Sequence, residues 1–298
     1  MPVAAQATPL RRPVALTLLR PAPAWPMLGT MGGWKDLAGR VAIVTGASSG
    51  IGAAVAVRFG RERMRVSLAA RRLERLQDVA KRVTEAGGMA LVVPTDVRDP
   101  AAVEHLVAVT QDTWGRIDVL VANAGVGGGP LLKMPDAVLR ELVEVNLLGV
   151  IRCARAVLPV MLRQGEGHII TTASVAGRVI APGSVYGATK AGVLAFSDAL
   201  RRAYSGSGVT VSALLPGWVE TELLQSFRPP VMLSASVVAD AAVRLLRRPR
   251  RELVIPGWYR FPIWVARWFP QVVDLLAPRV MRRLERNAGR SAADNPGR

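Results

Sequence analysis

The stretch Val41-Ala42-Ile43-Val44-Thr45-Gly46-Ala47-Ser48-Ser49-Gly50-Ile51-Gly52 is the part of this 298-residue chain from which the fold can be read. Val41 to Val44 form a short, wholly apolar run, the pattern of a strand buried on both faces. The glycines make a turn, and a helix then continues to about Gly60. Strand, glycine-rich turn and helix, in that order, is the context in which a glycine motif points to phosphate binding. Glycine lets backbone N–H groups approach a pyrophosphate, and the helix N-terminus adds partial positive charge. The spacing is G-x-x-x-G-x-G, and Ser48 and Ser49 can donate further hydrogen bonds. Gly46, Ser48, Ser49, Gly50, Ile51 and Gly52 are therefore candidate cofactor-binding residues. Tight strand–helix packing is the other use of such glycines.

The same alternation of apolar strands and amphipathic helices continues outward. Further strands are predicted at 66–70, 89–93, 117–122, 168–172, 209–215 and 252–255, making seven with the first. Such alternation builds a parallel, doubly wound α/β sheet with helices on both faces, Rossmann-like, with function beyond the carboxyl ends of the strands. One catalytic domain is expected over residues 36–256, followed by a helical C-terminal extension over 257–298.

The residues beyond those strand ends are informative. The second strand closes on Ala69-Ala70-Arg71-Arg72, where a site that prefers NAD carries an acid for the ribose 2′-hydroxyl. No carboxylate is present to repel a 2′-phosphate, and an arginine can grip one bidentately. Arg71 is thus expected to favour NADP over NAD, unless both arginines are solvated charges at a helix start. The third strand leads to Asp96 and Val97, with Asp96 placed to accept from an adenine amino group. The fourth ends in Asn123-Ala124-Gly125, and the sixth in Pro216-Gly217 with Thr221 soon after. A helical period runs from Asp136 to about Arg163 and includes Asn146, whose poor helix propensity asks for a reason, packing or a bend among them.

The fifth strand leads straight into Ser174, a Pro182-Gly183 turn, and Ser184 as N-cap of a helix running from Val185 towards Tyr204. Tyr186 and Lys190 lie four apart on that helix, hence on one face. A phenol of pKa about 10 is a poor acid or base at neutral pH. A fixed ammonium nearby favours the phenolate and is expected to pull that pKa down. Taken alone, the Tyr-x-x-x-Lys spacing is equally an accident of an exposed helix.

Composition bounds the rest. The net charge is +17, with a near-neutral middle and a basic excess at the ends. Residues 36–240 hold 22 basic and 18 acidic side chains, whereas 241–298 hold 13 and 4. A nucleic-acid binder carries its charge on a folded module with a recognisable motif; none is present, so nucleic acid is not expected as a partner. One cysteine, Cys153, and two histidines, His105 and His168, give no metal site. No uninterrupted apolar run suggests a spanning helix, and the expected compartment is the cytoplasm. Residues 1–35, with Pro2, Pro9, Pro13, Pro21, Pro23 and Pro26, are expected to be a disordered leader. Their apolar segment from Val14 to Leu19 is too short for a signal peptide, and Met31 is a candidate alternative start. Residues 257–298 interleave Trp258, Phe261, Trp264, Trp268 and Phe269 with arginines, which suits a membrane surface, a pocket closure or a dimer contact. Between them, Trp218, Leu223, Leu224, Phe227, Met232 and Leu233 suggest a hydrophobic substrate, or packing against the body or a partner.

Taken together, these residues resemble the short-chain dehydrogenase/reductase family. Thr45-Gly-Ala-Ser-Ser-Gly-Ile-Gly52 is similar to its cofactor loop, Asn123-Ala-Gly125 to its central-strand motif and Tyr186-Gly-Ala-Thr-Lys190 to its active-site motif. Asn146, Ser174 and Pro216-Gly217 fall in the expected order, and the resemblance covers roughly residues 37–256. It implies that Tyr186 exchanges a proton with the substrate oxygen, and that Lys190 lowers its pKa and binds the nicotinamide ribose. It further implies that Ser174 holds the substrate carbonyl, that Asn146 holds a water in a proton relay, and that Thr221 lies near the nicotinamide carboxamide. A mobile lid after Gly217 and a homo-oligomer, dimer or tetramer, belong to the same implication. Two positions depart from the pattern: Ala122 stands where a second Asn is frequent, and Ser49 where many NADP-dependent members carry a basic residue.

Overall fold

A computed structural model describes residues 32–129, 131–179, 183–222 and 232–276. The leader expected over 1–35 falls almost wholly outside these residues. So do Pro182, the lid positions Leu223, Leu224 and Phe227, and the chain beyond 276.

Seven strands form one sheet: β1 (Val41–Thr45), β2 (Arg65–Ala70), β3 (Met89–Pro94), β4 (Val119–Ala122), β5 (Gly167–Thr172), β6 (Val209–Pro216) and β7 (Glu252–Ile255). Their order is β3-β2-β1-β4-β5-β6-β7, and every neighbouring pair is parallel. The chain starts in the middle, winds outward to β3, then crosses back to β4. The connections after β1 and β4 therefore diverge, and a crevice opens above that point.

Alternate residues of each strand enter separate cores. Ala42 and Val44 face α1 (Gly50–Arg61), α2 (Leu73–Glu85) and α7 (Ala235–Arg247), whereas Ile43 faces the opposite layer. That opposite layer holds α3 (Pro100–Trp114), α5 (Gly149–Gln164) and α6 (Val185–Ala203). Burial on both faces is why the inner strands read as largely apolar runs, whereas the edge strands β3 and β7 are only partly buried.

The helical period from Asp136 resolves into α4 (Asp136–Val143), a π turn over Glu144–Leu148, and α5. This run is long and apolar enough to cross a membrane by length and composition, which the sequence reading did not anticipate. It is instead a core helix: Leu142, Val145, Val150, Ala154, Val157 and Met161 are all buried. After β7 the chain makes a 3-10 turn at Gly257–Tyr259 and enters α8 (Arg260–Trp268).

Candidate active site

The glycine loop sits at the crevice, and its glycines are required by geometry. Gly46 has φ +65°, in the left-handed region that disfavours side chains. A Cβ on Gly52 would come within 2.2 Å of the Gly46 carbonyl oxygen. At the start of α1, Ser49 occupies the N-cap but its side chain makes no capping hydrogen bond, and the first turn holds no acid. The first-turn N–H groups thus keep their donors and their positive end. These are the features that fit a dinucleotide's pyrophosphate.

The loop is braced from β4, and the brace includes a residue not singled out from sequence. The Thr45 hydroxyl accepts from the Asn123 and Ala124 main-chain N–H groups at 3.0 and 3.1 Å. The Asn123 amide donates back to the Thr45 carbonyl at 3.1 Å. Asn123 and Ala124 therefore lock the β1 and β4 ends together across the crevice. Thr221 comes close to the loop at Gly50, where an added Cβ would meet its methyl at 3.0 Å. The signal for Thr45 was its place at the strand end, where a side chain faces the neighbouring connection.

At the end of β2, Arg71 and Arg72 separate. Arg71 is more than half exposed and lies 3.8 Å from Glu141 on α4. Arg72 lies across the glycine loop, donating to the Ser48 hydroxyl at 3.0 Å and the Ser49 hydroxyl at 2.8 Å. Sequence reasoning selected Arg71; the residue in contact with the loop is Arg72. Asp96 is held by Arg98, through its side chain and main-chain N–H, and this guanidinium keeps its carboxyl below the ordinary range. Val97 turns its side chain into the core under Gly149.

Catalytic candidates converge on the next two strand ends. The Ser184 hydroxyl accepts from the Gly187 N–H at 2.9 Å, capping α6 as expected. This sets Tyr186 and Lys190 on the helix face turned towards β5. Lys190 is buried, and its ammonium donates to the Thr172 carbonyl at 2.8 Å. No carboxylate pairs with it among the described residues, and burial pushes its pKa down to about 8. The neighbouring Thr172 hydroxyl, also buried, has no hydrogen-bond partner among the described residues. The ammonium lies 5.7 Å from the centre of the Tyr186 ring.

Ser174 follows β5 and is buried. Its hydroxyl accepts from the Ala176 N–H at 3.1 Å, donates to the Pro216 carbonyl at 3.4 Å, and hydrogen-bonds the Tyr186 phenol. The expected lowering of the tyrosine pKa by lysine is corrected here. Burial pushes the Tyr186 phenol above its usual value, and the opposing influence is the Ser174 hydrogen bond. Desolvation outweighs it because a phenolate in an apolar wall loses its hydration.

Asn146 lies in the π turn, fully buried. Its carbonyl oxygen accepts from the Val126 N–H at 2.8 Å, and its amide donates to the Val126 carbonyl at 2.9 Å and the Thr189 hydroxyl at 3.3 Å. The poor helix former is thus a clamp between the β4 connection and α6. A Cβ on Gly125 would sit 3.3 Å from the Asn146 oxygen and 3.7 Å from the Lys190 ammonium, so the three share one corner. Pro216 and Gly217 complete the rim, and Tyr259 from the C-terminal extension packs over Gly217, at 2.3 Å from an added Cβ. That contact had no sequence signal, because it joins segments 42 residues apart through a turn.

Residues 40–231 match the family model described as short chain dehydrogenase. A Streptomyces coelicolor protein named as a ketoacyl reductase is 42% identical over 192 residues, covering 63% of this chain and 74% of that one. Ketoacyl reductase HetN of Nostoc is 34% identical over 227 residues, 74% of this chain and 79% of its own. Among solved structures, an alcohol dehydrogenase from Thermococcus sibiricus complexed with 5-hydroxy-NADP superposes with TM-score 0.67 at 32% identity, over 74% of this chain and 97% of that one. A variant of actinorhodin polyketide ketoreductase with NADPH gives 0.69 at 34%, over 74% and 97%. A relative from Burkholderia phymatum in complex with NAD gives 0.74 at 26%, over 80% and 96%. With the motif order, the sheet and the strand-end cluster already in place, this chain belongs to the short-chain dehydrogenase/reductase family of oxidoreductases.

Proposed function

We propose that this chain is an NADP(H)-dependent carbonyl reductase, or alcohol dehydrogenase in reverse, acting on a hydrophobic ketone or alcohol with Tyr186 as general acid and base. The observation that carries this reading is the convergence of Ser174, Tyr186 and Lys190 beside the glycine loop. Burial keeps the phenol protonated, the state needed to donate to a carbonyl oxygen as it gains charge. Ser174, already bonded to that phenol, adds a second donor to the same oxygen. Lys190 keeps its ammonium 5.7 Å from the centre of the Tyr186 ring, where the resemblance implies contact with the nicotinamide ribose. The nicotinamide cofactor, when bound, supplies or accepts the hydride. Both amide protons of Asn146 are committed to Val126 and Thr189. A π turn leaves main-chain carbonyls off the usual ladder, so the relay water is assigned to that main chain.

The preference for NADP draws support from the absent acid at the end of β2 and from its two arginines. Two of the solved relatives hold NADP-type cofactors and one holds NAD, so the support for NADP comes from the chain's own charges. A non-catalytic NADP(H)-binding redox sensor is the second reading, and Tyr186 beside the buried Lys190 speaks against it, since a sensor needs no acid–base group. NADPH oxidation against a panel of apolar ketones and aldehydes tests the proposal. Turnover with NADPH faster than with NADH is expected; no turnover with either cofactor would overturn it.

The extension carries a separate expectation. Trp258, Phe261, Trp264, Trp268 and Phe269 are all about half exposed or more, with Arg260 and Arg267 among them. Aromatic rings beside arginines suit the headgroup region of an anionic bilayer, and we assign this face to such a surface. Sedimentation with phosphatidylserine liposomes should fall when Trp264 and Trp268 become Ser; unchanged sedimentation would remove the assignment. A dimer or tetramer is expected from the family resemblance alone.

A further inference from the structure

The end of β2 holds an arrangement that neither the motif order nor the relatives assign. Two arginines of this region, Arg72 and Arg75, meet a single carboxylate, Glu222, which arrives from the far side of the crevice one residue after Thr221. Arg72 reaches its Oε2 at 2.9 Å, and Arg75 reaches its Oε1. Arg72 simultaneously holds Ser48 and Ser49 of the glycine loop. Two guanidinium groups thus converge on one anion, and one of them also holds two hydroxyls of the glycine loop, at the position where the sequence places the ribose 2′-substituent.

We propose that Glu222 is the internal occupant of the anion subsite between Arg72 and Arg75, displaced when the 2′-phosphate of NADP(H) binds there. This deepens the cofactor reading above and rests on it. The exchange is favoured by charge. One carboxylate leaves the two guanidinium groups with an excess of positive charge, whereas a phosphomonoester carries about −1.5 to −2 at neutral pH and three acceptor oxygens. Arginine forks match those oxygens bidentately. The resident pairs are weak opponents, because all three side chains are about half exposed and such ion pairs contribute little. NAD(H), with a hydroxyl at this position, gains nothing from displacing Glu222. The residue therefore weakens binding of the phosphorylated cofactor and, as an acceptor beside the ribose, does not weaken the other.

The test is cofactor binding to the full chain, read by fluorescence of NADPH and NADH, for wild type, Glu222→Gln and Arg72→Ala. Thermal melting checks that each variant is folded. Glu222→Gln is expected to bind NADPH about fivefold more tightly, the worth of roughly one exposed ion pair, with NADH no tighter. Arg72→Ala is expected to weaken NADPH at least about tenfold and leave NADH within twofold. Weaker NADPH binding in Arg72→Ala without any gain in Glu222→Gln would overturn the exchange while the NADP reading stands. Tighter binding of NADH than NADPH by the wild type, with both variants flat, would overturn the two together.

Discussion

The two edges of the sheet treat buried charge in opposite ways. At the amino edge, Asp118 is fully buried and saturated. It accepts from the Val41 N–H at 2.8 Å, from Arg116 at 3.0 Å and from Arg40 at 3.2 Å. Arg40 also pairs with Glu166 and stacks 4.0 Å over Trp34, whose indole N–H donates to Glu166. At the carboxyl edge, Lys190 is also buried but has no carboxylate partner among the described residues, its ammonium donating to a main-chain carbonyl. One edge spends its charge on itself, and the other keeps it available. An open hollow at the amino edge, lined by Asp36, Arg40, Arg116 and Glu166, offers only charges that already have partners within the chain. Volume alone does not mark a site here; the unbalanced cation does.

Removing charge at each edge should give opposite outcomes. Lys190→Met is expected to lower kcat/KM by about 10³-fold, within the range for loss of acid–base assistance, and to leave Tm equal or higher. A buried ion without a counter-charge costs more than a hydrophobe of similar volume. A marked fall in Tm would show that the lysine is structural. Asp118→Ala should behave in reverse. It leaves the buried Val41 N–H unpaired while both arginines keep Glu166. That costs about 1–3 kcal/mol of stability, and kcat of the folded fraction stays within about twofold. Chemical denaturation with parallel kinetics checks both halves, and a large kcat loss without unfolding would blur the comparison.

A smaller effect sharpens it. The folded-state pKa of Lys190 is about 8, below its ordinary value of 10.5. Between those values the unfolded chain binds more protons than the folded one, so stability rises with pH there; below pH 8 the cost of burying the charge is fully present. The gain amounts to about 3 kcal/mol at most. Cys153 acts in the other direction, because burial pushes its thiol up to about 12 and the unfolded thiol ionises first. Stability should therefore be compared as wild type minus Lys190→Met from pH 7 to 10, which cancels the cysteine. That difference is expected to rise with pH, and a flat difference would mean that Lys190 is not desolvated as described.

Much of this was legible in the sequence, and the exceptions have physical causes. The inner strands were readable because burial on both faces leaves apolar runs, the outer β3 and β7 were readable as short apolar runs despite partial exposure, and Ser184 declared its cap beside a turn signal. The π turn was not readable, because a helical period cannot register one inserted residue; Asn146 marked the place only by being a poor helix former. Arg71 was chosen over Arg72 because both follow β2 directly. Which of two adjacent side chains faces the loop depends on the path of the chain between strand and helix. The effect of Lys190 on Tyr186 was misjudged for a related reason. Four-residue spacing puts two groups on one face, but only packing tells how far the ring is desolvated and where the ammonium goes. Glu222 had no sequence signal at all, since its partners lie about 150 residues away.

The central claim is that the Tyr186 phenol, held by Ser174 beside the buried Lys190, is the proton donor to the substrate oxygen. The direct measurement is turnover of Tyr186→Phe with NADPH and a ketone that the wild type reduces, alongside NADPH affinity. A fall in kcat of about 10²–10⁴-fold with cofactor affinity within twofold is the predicted result. Turnover equal to that of the wild type would contradict it.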